Sequence, residues 1–242
     1  MGAKTHKGFT IIESVLFLGV TGLIMAVLLA GVGGTLNRER YKDAVSSFQD
    51  YVQGQYNLVS NVNNSRPNNE VCQGGQIVTG VTSDSGRGTS DCTIVGRVIH
   101  STANGDKVTS TQVYATVDAS ALTGSNDAAI LNSAQLTASP NEDTYAMAWG
   151  TKLVKPRPDD SVRAFSILIV RMPTSGLIHT YALEQADQVP AAIVGNYVAS
   201  GSFAMCVDNS MFIAGGVGRV GVLLAKDATN SGGVQFLSED KC

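Results

Sequence analysis

The chain has 242 residues, 43% of them hydrophobic, a formal charge of −3 and four cysteines. A length of this order accommodates one large or two small domains, so size excludes little. Charge excludes more: a weakly acidic chain lacks the broad positive surface of a general nucleic-acid binder, leaving a local basic patch as its only route to one.

The first charges, Lys4 and Lys7, form a short basic leader that ends at Gly8. Then comes Phe9-Thr10-Ile11-Ile12-Glu13, followed by 23 positions, Ser14 to Leu36, without a charge. At about 1.5 Å per helical residue this run reaches across a hydrocarbon core roughly 30 Å thick. It is too long for the apolar core of a secretory signal, about 7–15 residues, and no small-residue cleavage site follows it. The segment therefore reads as a membrane span. Glu13 is the anomaly within it, because an ionised side chain at the centre of such a helix costs about 2.5–3.5 kcal/mol and needs a partner or a use.

Orientation is not set by the flanking cations, since Lys4 and Lys7 precede the span while Arg38, Arg40 and Lys42 follow it. The cysteines decide it. Cys72, Cys92, Cys206 and Cys242 all lie beyond the span and are even in number, which points to an oxidising, extracytoplasmic space and two disulfides. Three pairings are possible; those closing short loops, Cys72 with Cys92 and Cys206 with Cys242, are preferred. No pair is spaced C-x-x-C and the three histidines are far apart, so no zinc site is expected.

Beyond Leu36, Tyr41, Val45, Phe48, Val52, Tyr56, Val59 and Val62 recur at intervals of three and four, with charged and amide residues on the other faces. The helix is therefore predicted to continue as an amphipathic rod from about Phe9 to about Asn63. Asn63-Asn64-Ser65-Arg66-Pro67 ends it.

From Asn68 onward Gly, Ser, Thr, Asn and β-branched residues prevail. Strands are predicted at 93–100, 108–117, 145–154, 163–171, 178–183, 203–207, 211–213 and 217–224. The stretch 118–141 is ambiguous, with a short helix at 127–136 as one reading. Many strands after one helix, with no βαβ alternation, predict an α+β fold in which a mainly antiparallel sheet packs on the amphipathic half of the rod.

A basic leader ending in glycine, then Phe9-Thr10-Ile11-Ile12-Glu13, a long apolar helix, its amphipathic continuation and a disulfide-bearing β-rich head together resemble the type IV pilin superfamily. The likeness is specific over about Lys7 to Asn63 and architectural over the head. It implies a leader at 1–8, a transmembrane and filament-core helix at 9–36, an amphipathic continuation at 37–66 and a head at 67–242. It further implies cleavage by a prepilin peptidase between Gly8 and Phe9, methylation of the Phe9 amine, and exit from the membrane into a filament. That filament would be built from copies of the chain and other pilins, serving adhesion or twitching motility. A free α-amine has a reference pKa of about 7.7–8.0 and is largely cationic at neutral pH. Glu13 would neutralise the Phe9 amine of a neighbour in an apolar core. The alternative is a minor pilin or pseudopilin of a DNA-uptake or type II secretion filament.

One departure stands out. Where many pilins carry a helix-kinking proline, this chain has Ala30. Gly19, Gly22, Gly31, Gly33 and Gly34 either restore flexibility or serve close helix packing.

Other patterns carry little chemistry. Gly216-Val217-Gly218-Arg219-Val220-Gly221 fits G-x-G-x-x-G but lacks a following helix, and reads as a glycine-relieved strand. Asp159-Asp160 lies in a proline-flanked loop, and Asp227 to Gly233 reads as a turn rather than a calcium loop. His100 and His179 read as core or sheet-surface residues and Trp149 as core. Lys152, Lys155, Arg157, Arg163 and Arg171 would offer a weak, salt-sensitive DNA contact if strand alternation gathered them; solvated surface is the preferred reading. No catalytic constellation, cofactor, metal or small-molecule substrate is expected.

Overall fold

The computed structural model describes residues 8, 10–61, 70–73, 76–79, 92–116, 126–195, 202–215 and 218–242. Phe9, Val62 and the proposed helix terminator Asn63 to Pro67 lie outside them, as do Gly216 and Val217. The fold is α+β, with one long helix, α1 (Ile11–Ser60), and antiparallel sheets.

Helix α1 starts at Thr10, whose hydroxyl accepts the Glu13 backbone N–H at 3.3 Å, and closes with Asn61 in an extended conformation. It has two regimes. Tyr41, Ala44, Val45, Phe48, Val52, Tyr56 and Val59 are buried, which is the apolar stripe expected from their spacing. Every Val, Ile, Leu, Met and Phe from Ile11 to Leu36 is exposed. At its C-terminal end Arg171 donates to the Ser60 carbonyl at 3.0 Å, satisfying one of the acceptors a helix end leaves open.

Strands β1 (Glu70–Gln73) and β2 (Gln76–Thr79) form a small antiparallel pair. The main sheet has five strands, β3 (Thr93–Ser101), β4 (Lys107–Thr116), β5 (Gln135–Ala146), β7 (Ser166–Arg171) and β8 (Ile178–Leu183), in the order β5-β4-β3-β7-β8. A second sheet has the order β11-β10-β9-β6, from β6 (Leu153–Val154), β9 (Phe203–Val207), β10 (Gly221–Leu224) and β11 (Val234–Leu237). The buried stripe of α1 packs between the two. On one side it meets Ile99, Val108, Ile167 and Ile169; on the other Met205, Val207, Val222 and Leu224. The far face of the five-stranded sheet is covered by α2 (Asp127–Ser133) and α3 (Pro190–Gly195), through Ile130, Leu131 and Ile193.

The two tyrosines in the stripe keep their hydroxyls paired. Tyr41 donates to the Val207 carbonyl at 2.8 Å and accepts the Val220 N–H at 2.9 Å. Tyr56 donates at 2.8 Å to the Thr180 hydroxyl, which in turn donates to the Ala228 carbonyl at 2.6 Å. Burial pushes the Tyr41 phenol up to about 12 and that of Tyr56 higher still, so both act as neutral donors.

Several sequence-based boundaries move. The expected strand at 145–154 divides, because Trp149 and Gly150 both adopt left-handed backbone (φ 57° and 70°) in a 3-10 turn between β5 and β6. Residues 211–213 are not a strand but part of a 3-10 turn, Ser210–Gly215, primed by Asp208, whose carboxylate accepts from the Ser210 N–H and hydroxyl. The strand expected at 217–224 begins only at Gly221 among the described residues. The helix suggested at 127–136 ends at Ser133, and β5 follows it through Pro140. That proline is tolerated because β5 is an edge strand, irregular in its pairing with β4 around this point. The irregularity is where β1 docks: buried Glu70 accepts from Tyr114 at 2.6 Å, Ser139 at 2.5 Å and the Asn141 amide.

Candidate assembly surface

Every Val, Ile, Leu, Met and Phe between Ile11 and Leu36 is exposed, from 83% at Ile11 to 49% at Leu36, whereas Tyr41 five residues later is fully buried. Burying one such side chain is worth about 1.5–3 kcal/mol, so this run together leaves on the order of tens of kcal/mol unrealised in water. Contiguous apolar surfaces of this size are rare on soluble monomers and mark contacts with membranes or other chains. The helix is long and apolar enough to cross a membrane.

Its polar side chains are adapted to an apolar environment. Thr21 donates to the Phe17 carbonyl at 2.8 Å, Thr35 to Gly31 at 3.2 Å and Ser14 to Thr10 at 3.3 Å, so each hydroxyl is satisfied within its own helix. Gly19, Gly22, Gly31, Gly33 and Gly34 continue the helix unbroken, and a Cβ on any of them would meet nothing in this chain. They fill no packing need within this chain.

Glu13 lies exposed in the first turn, where the helix dipole favours a carboxylate. Thr10 three residues before it matches the [ST]-x-x-[DE] pattern of a helix start, a signal legible in the sequence that the membrane reading passed over. Glu13 thus has one local reason for its place, which its charge within an apolar surface exceeds. Gly8 is exposed with nothing near it; Phe9, the expected methylation site, lies outside the described residues.

The other singled-out residues sit in the head. Cys72 is joined to Cys92 and Cys206 to Cys242, with Cα separations of 5.9 and 5.7 Å. Cys206 and Cys242 are buried with Val154 and Leu237 on the outer face of the four-stranded sheet. His100 is half-buried at 2.9 Å from the Ser166 hydroxyl, and burial lowers its pKa. His179 stands 3.1 Å from Asp127, whose carboxyl is held below its ordinary range chiefly by the Ser175 hydroxyl and then by His179 and Thr174. Asp159 pairs with Lys155 at 2.9 Å and Asp160 with Arg219 at 2.6 Å, both at an exposed turn. Asp227 to Gly233 forms turns, with Asn230 accepting the Gly232 N–H. Gly221 opens β10, where a Cβ would strike the Met205 carbonyl and approach the Cys206 Cα at 2.7 Å.

The five cations considered for DNA are dispersed in role. Arg163 is buried over the Phe203 ring and paired with Glu184 at 3.0 Å, Arg171 caps α1, and Lys155 is paired. Trp149 is a correction. It is 51% exposed rather than core, its indole N–H donating to Asp43 at 2.8 Å with Arg40 4.9 Å over the ring. A tryptophan can be held at a surface when its polar edge finds a partner, and here α1 supplies one.

No protein-family model, curated protein or solved structure matches the chain.

Proposed function

We propose that the chain is a prepilin whose mature form is a structural subunit of a type IV pilus or a related filament. The observation that carries this reading is the division of α1. One half is bound into the head by a buried stripe, while the other presents an unbroken apolar surface with a single carboxylate near its start. A plain membrane anchor accounts for the apolar surface but gives the Glu13 charge no partner beyond the start of its own helix. Assembly accounts for both. After removal of residues 1–8, the cationic Phe9 terminus of one subunit meets Glu13 of another as the helices bundle, and each charge becomes tolerable because the other is present. A subunit out of axial register would leave both unpaired, so the pair sets the stagger as well as stabilising it.

The reading has two direct tests. Subunits recovered from filaments should begin at an N-methylated Phe9, read by mass spectrometry; a subunit retaining residues 1–8 would contradict it. Glu13→Leu and Glu13→Gln should leave the chain in the carbonate-resistant membrane fraction at the parental level while filaments disappear from the cell surface. Undiminished filaments in both variants would overturn the proposed pairing.

A further inference from the structure

Two turns close on α1 where it leaves the head, one from each sheet: Ala148–Gly150 after β5, and Ser210–Gly215 after β9. Phe212 packs its ring 5.6 Å from that of Tyr41, and the Met211 sulfur lies 3.6 Å from where a Cβ on Gly150 would stand. The turns thus meet beside the same level of the helix. Among the described side chains, the first turn exposes Trp149 at 51% and the second Met211 at 68%.

The exposure of Trp149 is built rather than incidental. Its backbone is left-handed (φ 57°, ψ 24°), a conformation disfavoured for a bulky residue, and the ring is fixed by Asp43 and Arg40. Arg40 and Asp43 stand four and seven positions beyond Leu36, the end of the uncharged run. At about 1.5 Å per residue the indole is held about 6–10 Å past the apolar segment. The polar layer on each side of a bilayer is about 5–8 Å deep, so the indole meets the outer part of the headgroup layer when the apolar run fills the hydrocarbon. Cations share that level: Arg38 is exposed and makes no ion pair among the described residues, and Arg40 lies over the indole. An amphipathic ring beside arginines just past an apolar span is the chemistry of a membrane interface, where tryptophan concentrates and cations meet lipid phosphates.

We propose that Trp149 and Met211, with Arg38 and Arg40, form a headgroup-binding collar by which the head of the membrane-resident subunit rests on the bilayer surface. The collar rests on the reading of α1 as a membrane span and adds to it a contact made by the head. It fixes how deep the helix sits and keeps the head against the membrane until the helix is withdrawn.

Trp149 is the sole tryptophan, so its fluorescence reports this contact without mutation. The full-length chain is reconstituted into vesicles of anionic phospholipid, and insertion of α1 is scored separately by resistance to carbonate extraction. With the chain inserted, Trp149 should be quenched more by a nitroxide on the lipid headgroup than by one deep in the acyl chain, and be shielded from iodide. Replacing Arg38 and Arg40 with Gln should reduce the headgroup quenching. An inserted chain whose Trp149 is open to iodide and unaffected by either lipid label overturns the collar while leaving the span intact. Shielding from iodide without lipid quenching assigns the surface to a second copy of the chain and also overturns it. A chain extracted by carbonate overturns both the span and the collar.

Discussion

Glu13, Tyr41, His100 and Gly221 each do something their neighbours cannot. Tyr41 marks the level at which α1 enters the head, and its hydroxyl ties the helix to the β9 and β10 segments at once. Tyr41→Phe leaves a buried carbonyl and N–H without that partner and should cost the head about 1–3 kcal/mol in chemical denaturation of the detergent-solubilised chain. A change near zero would mean that the two groups re-pair locally. Gly221→Ala forces a Cβ against the β9 backbone, and overpacking of this kind costs about 1–3 kcal/mol, read as a lowered thermal midpoint. His100 gives the head a pH dependence with a definite sign. The Ser166 hydroxyl donates to the Gln185 carbonyl, so the imidazole Nδ1–H donates to Ser166, and burial lowers the imidazole pKa below 6.5. The unfolded chain takes up this proton first as pH falls, so the stability linked to neutral His100 is complete above about pH 6.5 and is lost below it. His100→Gln should flatten the stability profile just below about pH 6.5. Asp127, lowered in the fold, gives a separate loss only below its ordinary value of 3.8.

At the scale of elements, the helix and most of the strands flanking it were legible because their residues repeat a period over enough length to be unambiguous. The 3.6-residue recurrence from Tyr41 to Val59 corresponds to the buried stripe, and β3, β4, β8 and β9 fall within a residue or two of the expected runs. What was not legible depends on partners distant in the chain. β1 reads as polar because its buried Glu70 is satisfied by Tyr114, Ser139 and Asn141, and β5 reads as irregular because Pro140 sits on an edge. β11 and α3 are too short to show a period. Trp149 misled because sole tryptophans are usually core, and its partners Asp43 and Arg40 lie more than a hundred residues away. The Cys206–Cys242 bridge ties the chain end to the middle of the second sheet. A closed loop of this length stabilises by about 4 kcal/mol in the chain-entropy view, so Cys206→Ser with Cys242→Ser should lower head stability by about 3–4 kcal/mol. An unchanged denaturation midpoint would show that the sheet holds the terminus alone.

For the whole molecule, the chain is a head buried around one half of a helix whose other half is left exposed. The apolar residues from Ile11 to Leu36 need a second environment, and lipid and neighbouring helices are chemically equivalent answers to that need. In the proposed filament Glu13 would separate them, since lipid offers its charge no partner and a neighbour's amine would. The legible part of the candidate surface is therefore the N-terminal motif and the uncharged run, which require no tertiary contact to be read. The collar around Trp149 was not legible, because it forms only when two sheets converge on one helix. The central claim is that this half-helix is the core of a filament, and imaging filaments assembled from the chain by electron cryo-microscopy at side-chain resolution tests it most directly. The expected map has residues 11–36 of many copies bundled at the axis, heads outside, and each Glu13 carboxylate within ion-pair distance of a neighbouring Phe9 amine. A filament whose axis is formed by heads, or one in which Glu13 faces solvent, would contradict it.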